Sequence, residues 1–302
     1  MKIGYPCLNR TLSCSSARTF RLRSYSEERL VSTVKNNLEC LTNILKYNKD
    51  HTILFFRITS DLVPFASHPV NKVPWQRHFR DTFARIGRYI KKHDMRISMH
   101  PDQFTLLNSV DRSVLRRSLK ELKYHAEILD LMQLDTTAKI QLHVGGVYGD
   151  KTASMKRFAL RYLRLEPTIR RRLVIENDHR NYSIADCISL SRTTGIPVVF
   201  DVFHHRVYNN GEGINPSLNH VCKTWHKRDG LLMVDYSLQK RSGITGQHAE
   251  SININNFRKF LQSTKSYDFD IMLEIKNKEQ SALQAIRCAR TDQRFVRGNG
   301  HV

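Results

Sequence analysis

Histidine, aspartate and glutamate residues recur along the chain at the ends of short apolar runs, where they could bind metal ions. These residues are His100, His143, Glu176, Asp201, Asp235 and Glu274. Mn²⁺, Zn²⁺ and Fe²⁺ accept imidazole and carboxylate ligands together, whereas Mg²⁺ and Ca²⁺ favour more oxygen. Several carboxylates in one place also repel each other unless cations neutralise them. The residue types therefore predict a divalent-metal cluster.

A cluster of this kind suits the hydrolysis of phosphate esters. Bound ions activate water and stabilise the attacking and leaving oxygens of a phosphoryl displacement. The number of candidate ligands favours two or three ions over one. The expected ion is Mn²⁺, with Zn²⁺, Co²⁺ or Mg²⁺ as alternatives. The residues expected to be catalytic are His100, His143, Glu176 and Glu274.

Eight β-rich runs could bring these side chains together. They are residues 2–6, 53–58, 96–100, 139–144, 172–177, 197–201, 231–235 and 271–275. Most are continuously apolar, as strands covered on both faces require. Segments with helical period and start signals lie between them. The signals are Ser24 with Glu27 before 26–47, Pro74 as the first residue of 74–93, Asp111 before 112–134, and Ser183 with Asp186 before 184–194.

Strands that alternate with helices indicate an α/β fold, either a (β/α)₈ TIM barrel or a doubly wound open sheet. We expect the barrel, because the side chains at the C-terminal ends of its strands meet at one mouth. No Pro/Gly-rich linker divides the chain, so a single TIM-barrel domain over residues 1–302 is expected. The last dozen residues, rich in Arg and Gly, are expected to form a flexible basic tail.

The chain is strongly basic, with 49 Lys and Arg against 28 Asp and Glu and a formal net charge of +21. A charge of this size attracts a polyanion, and its spread along the chain suits a broad binding face. Together with the metal cluster, it predicts hydrolysis of a nucleic-acid phosphodiester. The same charge argues against the small neutral substrate of a metal-dependent sugar isomerase with a similar barrel.

Cysteine usage and hydropathy bear on the cellular location. The six cysteines are scattered with no C-x-x-C pair, which indicates neither a zinc ribbon nor a disulfide framework. Reduced thiols in a cytoplasm are therefore expected. No apolar run suits a signal peptide or approaches the ~18 residues of a membrane span. We expect a monomer in the cytoplasm, off the membrane, and associated with the nucleoid in a prokaryote.

Motifs that span nearly the whole chain resemble those of the UV damage endonucleases. They are IGYPCLN at 3–9, RITSDLVPFASHP at 57–69, SMHPDQF at 98–104, LHVGG at 142–146, VIENDH at 174–179, FDVFHH at 200–205, GQHAESI at 246–252 and MLEIKNKE at 272–279. The resemblance implies a barrel related to the endonuclease IV group. It also implies double-stranded DNA with UV lesions as the partner. Cleavage would fall immediately 5′ of cyclobutane pyrimidine dimers or 6-4 photoproducts, leaving 3′-hydroxyl and 5′-phosphate ends.

The resemblance also implies site residues. The family's metal ligands fall on His68, His100, His143, Glu176, Asp201, His204, His248 and Glu274. Its lesion-probing positions carry Tyr5, Asn9, Gln103 and Phe104. Phe104 keeps a ring that can wedge into stacked bases but lacks the hydroxyl of the family's tyrosine. Separately from the resemblance, the two-residue spacing predicts that Lys276 points to the same side of the barrel as Glu274 and reaches a phosphate or an acid beside the site, with a solvent-facing lysine as the alternative.

The seventh strand departs from the family pattern. Many relatives carry a lysine there, carboxylated in some, and two residues later a histidine that binds metal. Met233 and Asp235 stand at these positions. Asp235 can still bind metal, whereas Met233 cannot, so the presence of a third ion is open. The other interpretations are an abasic-site endonuclease of the endonuclease IV type and a DNA-binding barrel with a vestigial site.

Overall fold

The computed structural model describes residues 1–297, and within them eight parallel strands close a barrel. The strands are β1 (Ile3–Pro6), β2 (Phe55–Ile58), β3 (Arg96–Met99), β4 (Lys139–His143), β5 (Leu173–Glu176), β6 (Val198–Asp201), β7 (Leu232–Tyr236) and β8 (Phe269–Leu273). Each strand pairs with the next one along the chain, and β8 pairs with β1. The predicted (β/α)₈ TIM barrel is therefore confirmed.

Helices connect successive strands. They are α1 (Glu27–Asp50), α2 (Trp75–His78), α3 (Arg80–Lys92), α4 (Arg112–Leu131), α5 (Lys151–Leu163), α6 (Pro167–Arg170), α7 (Ile184–Thr194), α8 (Val202–Val207), α9 (Ile214–Cys222), α10 (Ile254–Ser263) and α11 (Glu279–Ala289). Their apolar faces pack on the strands and form the main core of the protein. No helix within residues 1–297 is both long and apolar enough to cross a bilayer.

Some of the predicted helix starts differ from the observed ones. The N-cap of α1 is Ser26, whose side chain accepts a hydrogen bond from the Arg29 N–H, so the predicted capping box of Ser24 and Glu27 is wrong. The predicted helix at 74–93 is divided in two, because α2 ends before Phe79 and α3 begins after it.

Two other helix starts are confirmed. Asp111 caps α4 by accepting hydrogen bonds from the N–H groups of Ser113 and Val114. Ser183 and Asp186 form a reciprocal capping box at the start of α7.

The interior of the barrel is stacked in layers. Its apolar layer consists of Phe55, Val174, Val199, Met233 and Met272. Towards the N-terminal ends of the strands, a buried ion pair joins Arg96 to Asp270 at 2.7 Å, and another joins Lys139 to Asp229 at 2.6 Å. Towards the C-terminal ends lies a second polar layer, which forms the candidate site.

Two cysteines form a bond that the sequence did not indicate. The sulfurs of Cys14 and Cys40 are joined in a disulfide, which ties the loop after β1 to α1. The expectation of reduced thiols is therefore wrong for this pair. Scattered spacing could not reveal it, because the two residues meet only after the loop folds back on the helix.

Part of the predicted flexible tail packs on the barrel. The Arg294 guanidinium donates hydrogen bonds to the carbonyl groups of Leu261, Thr264 and Tyr267, and Phe295 is buried. The end of that predicted tail, residues 298–302, lies outside the described residues.

One close helix contact leads to a stability prediction. Gly87 of α3 lies against the turn after α4, and a Cβ atom placed there would lie 1.7 Å from the carbonyl oxygen of Met132. Gly→Ala within a helix normally stabilises by about 1 kcal/mol. Gly87→Ala should instead lower the free energy of unfolding in urea by about 1–3 kcal/mol, because the methyl group overpacks a backbone contact. Arg88→Ala, at an exposed position of the same helix, should change it by less than about 0.5 kcal/mol.

Candidate metal centre

The polar layer at the barrel mouth lies directly above the apolar layer, on the same strands. Successive inward-facing side chains of a strand are two residues apart. Two residues beyond the apolar layer stand, in chain order, Arg57, Glu176, Asp201, Asp235 and Glu274. The strand pleat therefore places four carboxylates and one guanidinium at the same level of the barrel.

The first candidate ligand group combines two imidazoles with a buried carboxylate. Glu176 Oε1 lies 2.7 Å from Nε2 of His100 and 3.3 Å from Nε2 of His143. The Nδ1 of His100 faces the carbonyl oxygen of Pro101 at 2.8 Å, which orients the ring. One ligand atom from each of the three residues lies within 4.8 Å of the others, so the group could hold a divalent cation.

A second group shares Glu176 with the first. It consists of Glu176, Asp201 and His204, all of them buried, with ligand atoms again within 4.8 Å of one another. Asp201 Oδ1 accepts a hydrogen bond from the His204 N–H at 2.7 Å and so caps α8. Asp201 Oδ2 is buried and accepts no hydrogen bond within residues 1–297, and its nearest charged neighbour is Nδ1 of His204 at 3.2 Å. This oxygen keeps acceptor capacity with which it could bind a cation.

The third group contains Asp201, Asp235 and Glu274, and it differs because Arg57 lies against it. The guanidinium of Arg57 donates to Asp235 Oδ2 at 2.8 Å and to Glu274 Oε1. The side-chain amide of Gln141 also donates to Asp235 Oδ2, at 2.6 Å. Neither Arg57 nor Gln141 was predicted, although each is a polar residue at an inward position of an otherwise apolar strand.

Two predicted ligands lie outside these three groups. His248 Nε2 is 3.7 Å from Glu274 Oε2, at the edge of the cluster. His68 is exposed, and its Nδ1 accepts a hydrogen bond from the Val70 N–H at 3.1 Å. The structure thus brings His248 to the cluster but leaves His68 in its loop.

A histidine that was not predicted lies beside the cluster. The ring centre of His179 is 5.4 Å from that of His204. His179 follows Glu176 by only three residues, so its position after β5 was the available signal. Its Nε2 accepts a hydrogen bond from Arg180 at 3.2 Å.

Two of the predicted lesion-probing residues, Tyr5 and Asn9, are buried in this structure. Tyr5 is fully buried, and its hydroxyl donates to Asn48 Oδ1 at 2.7 Å and accepts from Asn9 Nδ2 at 2.8 Å. Asn9 is also buried, and its Oδ1 accepts from the N–H groups of Thr11 and Leu12. The strand pleat directs Tyr5 outward into the core between β1 and the helices. Through these hydrogen bonds, both side chains hold the conformation of the loop after β1.

Three other predicted DNA contacts are accessible. Gln103 is exposed, and Phe104 beside it is 75% exposed, in the loop that follows His100. Lys276 is partly exposed, and its Nζ lies 3.2 Å from Glu250 Oε1 on the surface. A phosphate could compete for this lysine, since an exposed ion pair contributes little.

The pKa shifts within the centre differ from group to group. Burial raises the pKa of Asp201 to about 6 and also raises that of Asp235, and it lowers the pKa of His143. Glu176 and His204 shift the opposite way, each towards its charged form. Burial alone would raise the pKa of Glu176, but the adjacent His143 and His100 lower it to about 2. Burial alone would lower the pKa of the His204 imidazole, but the neighbouring Asp201 raises it to about 9. The metal-free site therefore holds a proton on His204 at neutral pH, and a cation must displace it.

Comparisons with known proteins agree on one family. A family model described as UV-endonuclease UvdE matches residues 1–296. The UV DNA damage endonuclease of Clostridium perfringens is 40% identical over 288 residues, which cover 95% of this chain and 70% of that protein. The crystal structure of SacUVDE matches with a TM-score of 0.92 at 45% identity, covering 96% of this chain and 98% of that one.

A more distant solved structure shares the barrel. Endonuclease IV from Thermus thermophilus matches with a TM-score of 0.57 at 16% identity, covering 83% of this chain and 93% of that one. A likeness at this level of identity shows the fold alone.

Metal binding by this centre should depend on pH. His204 must lose its proton before it can bind a cation. The Kd for Mn²⁺ should therefore rise as the pH falls from 8 to 6.5, by about tenfold per pH unit for each proton displaced. Isothermal titration calorimetry in two buffers of different ionisation enthalpy measures both the Kd and the protons released. His205→Gln, which alters a buried histidine bonded to the Glu212 carbonyl instead, should keep this dependence. A Kd that stays constant over this range would contradict the assignment of His204.

Proposed function

The chain belongs to the UV-endonuclease UvdE family, and from this premise we propose that it cuts DNA immediately 5′ of UV photoproducts. The members of this family compared above are named as endonucleases, which are DNA-cleaving hydrolases. The proposed substrates are cyclobutane pyrimidine dimers and 6-4 photoproducts in double-stranded DNA. Cleavage would leave 3′-hydroxyl and 5′-phosphate ends.

One observation carries the metal-dependent part of this proposal: buried acids and imidazoles converge at the mouth of a barrel whose chain carries a net charge of +21. The orphaned Asp201 Oδ2 and the sharing of Glu176 by two ligand groups fit divalent ions. The proposed ligands are His100, His143, Glu176, Asp201 and His204, with Glu274 and His248 at the edge, and Mn²⁺ is the proposed ion. When bound, such ions activate water and stabilise charge on the phosphate oxygens.

The remaining chemistry is assigned to residues of the chain. Glu176, between His100 and His143, would hold both rings in place for the reacting phosphate. Glu274 would act from the opposite side of the mouth, where its Oε2 faces His248. The excess of Lys and Arg would attract the DNA backbone without regard to sequence.

Lesion recognition is proposed for the loop after β3. An aromatic ring that is 75% exposed to water, such as Phe104, can gain contact area by inserting between bases. Crosslinked pyrimidines are already poorly stacked, so displacing them from the helix costs less than displacing normal bases. Gln103, exposed beside the ring, would supply polar contacts.

We further propose that the protein works as a monomeric single domain in the cytoplasm, at the nucleoid in a prokaryotic cell. The support for this location is the DNA substrate of the family. Exclusion of the protein from fractions that contain DNA would contradict it.

Lesion-specific nicking tests the proposed reaction. A duplex with one cyclobutane dimer, incubated with Mn²⁺-loaded protein, should be nicked on the 5′ side of the dimer and not elsewhere. Glu176→Gln and Glu274→Gln should each lower the rate on the order of 100-fold or more, while salt-sensitive DNA binding persists. Undamaged and abasic duplexes serve as controls. Preferential cleavage of the abasic duplex would favour an endonuclease of the abasic-site type instead.

Substitution of Phe104 tests the proposed recognition loop. Phe104→Ala should slow single-turnover nicking of the dimer substrate about tenfold or more, because a base–aromatic contact worth ~1–3 kcal/mol is lost. Mn²⁺ binding should not change. Val110→Ala, an exposed apolar residue further along the same loop, is the matched control and should retain the wild-type rate. Equal rates for both variants would remove Phe104 from recognition.

A further inference from the structure

A positively charged side chain lies inside the ring of carboxylates at the metal centre. Arg57 is 3% exposed, and its guanidinium spans the gap between Asp235 and Glu274. One terminal nitrogen contacts Glu274, and the other lies 2.8 Å from Asp235. The guanidinium therefore stands where a cation bound by these two carboxylates would also be placed.

Gln141 fixes this arrangement. Its amide oxygen accepts from Arg57 at 2.9 Å, and its amide nitrogen donates to Asp235 at 2.6 Å. The amide oxygen thus faces the guanidinium and the amide nitrogen faces the carboxylate. Together with the Arg57–Asp235 contact, these bonds form a closed triangle. Its members are buried, and the guanidinium cannot swing away from the centre without breaking all three contacts.

The charge of the centre also limits how many ions it takes. Arg57 cancels one of the four negative charges of Glu176, Asp201, Asp235 and Glu274. Two divalent cations already exceed the negative charge that remains. A third ion on the Asp235 side would lie within a few ångströms of a buried guanidinium, where like-charge repulsion is poorly screened.

We propose that Arg57 is a built-in cation that takes the place of a divalent ion between Asp235 and Glu274, so that the centre binds two ions. This inference rests on the proposed metal-dependent function. The two ions belong to the groups that share Glu176, and Asp235 is the partner of Arg57 rather than a metal ligand. Arg57 is thus a positioning residue that holds Asp235 and Glu274.

Counting bound metal tests the proposal without reference to activity. Mn²⁺ per chain is measured by inductively coupled plasma mass spectrometry after loading and gel filtration. The wild type and the charge-conserving Arg57→Lys should each hold two ions. Arg57→Met should hold three, because Asp201, Asp235 and Glu274 are then free to bind one more.

Further variants separate this effect from a general loss of packing. Arg57→Met/Asp235→Asn should return to two ions, because the additional site loses a ligand. Arg96→Met removes another buried arginine, which pairs with Asp270 in the opposite layer of the barrel. This control should hold two ions even if its melting temperature falls.

The outcomes are distinct. Three ions in the wild type, or two in a folded Arg57→Met protein, would overturn the proposal. If Arg57→Met does not fold, two single variants replace it. Asp235→Asn should keep two ions, whereas Asp201→Asn should lose one. An Asp235→Asn protein that lost an ion would also overturn the proposal. A folded wild type that binds no Mn²⁺ would instead contradict the proposed metal-dependent function.

Discussion

The need to balance buried negative charge governs the design of this barrel. Glu176, Asp201 and Asp235 are at most 1% exposed. Glu274 is partly exposed and lies in the same layer of the barrel. An uncompensated charge in such a place costs several kcal/mol. The surrounding imidazoles and Arg57 supply part of the positive charge, and the orphaned carboxylate oxygens leave room for cations to supply the rest. Stability and chemistry at the mouth therefore depend on the same groups.

The strand pleat couples this polar layer to the core beneath it. Phe55 precedes Arg57 by two residues, and Met233 precedes Asp235 in the same way, so each of these two strands places an apolar side chain directly below a charged one. The apolar layer keeps water from reaching the charged groups from below, which strengthens their interactions. Met233 has a structural place in this layer. A methionine at the position where the family resemblance implied a lysine is thus compatible with the fold.

Local pattern was sufficient to predict the strands and the acids at their ends, because strand period and strand ends can be read from neighbouring residues. The contacts that it missed join distant parts of the chain. Tyr5 lies near the C-terminal end of its strand like a mouth residue, yet the pleat turns its side chain outward to the helices. Arg57 lies in the apolar run ILFFRI, and its partners are 84 to 217 residues away. The Cys14–Cys40 disulfide likewise depends on how a loop returns to its helix.

The loops at the mouth differ in how firmly they are held, and the difference assigns them separate roles. The loop after β1 is held by Glu279, which accepts hydrogen bonds from the Arg10 N–H and the Thr11 hydroxyl, and by the buried Asn9. The loop after β3 instead leaves Phe104 in water. A wedge must leave solvent and enter a base stack, which an anchored and buried side chain cannot do. The loop after β1 therefore forms part of the rigid frame of the mouth, and the loop after β3 carries the exposed ring that we propose engages DNA.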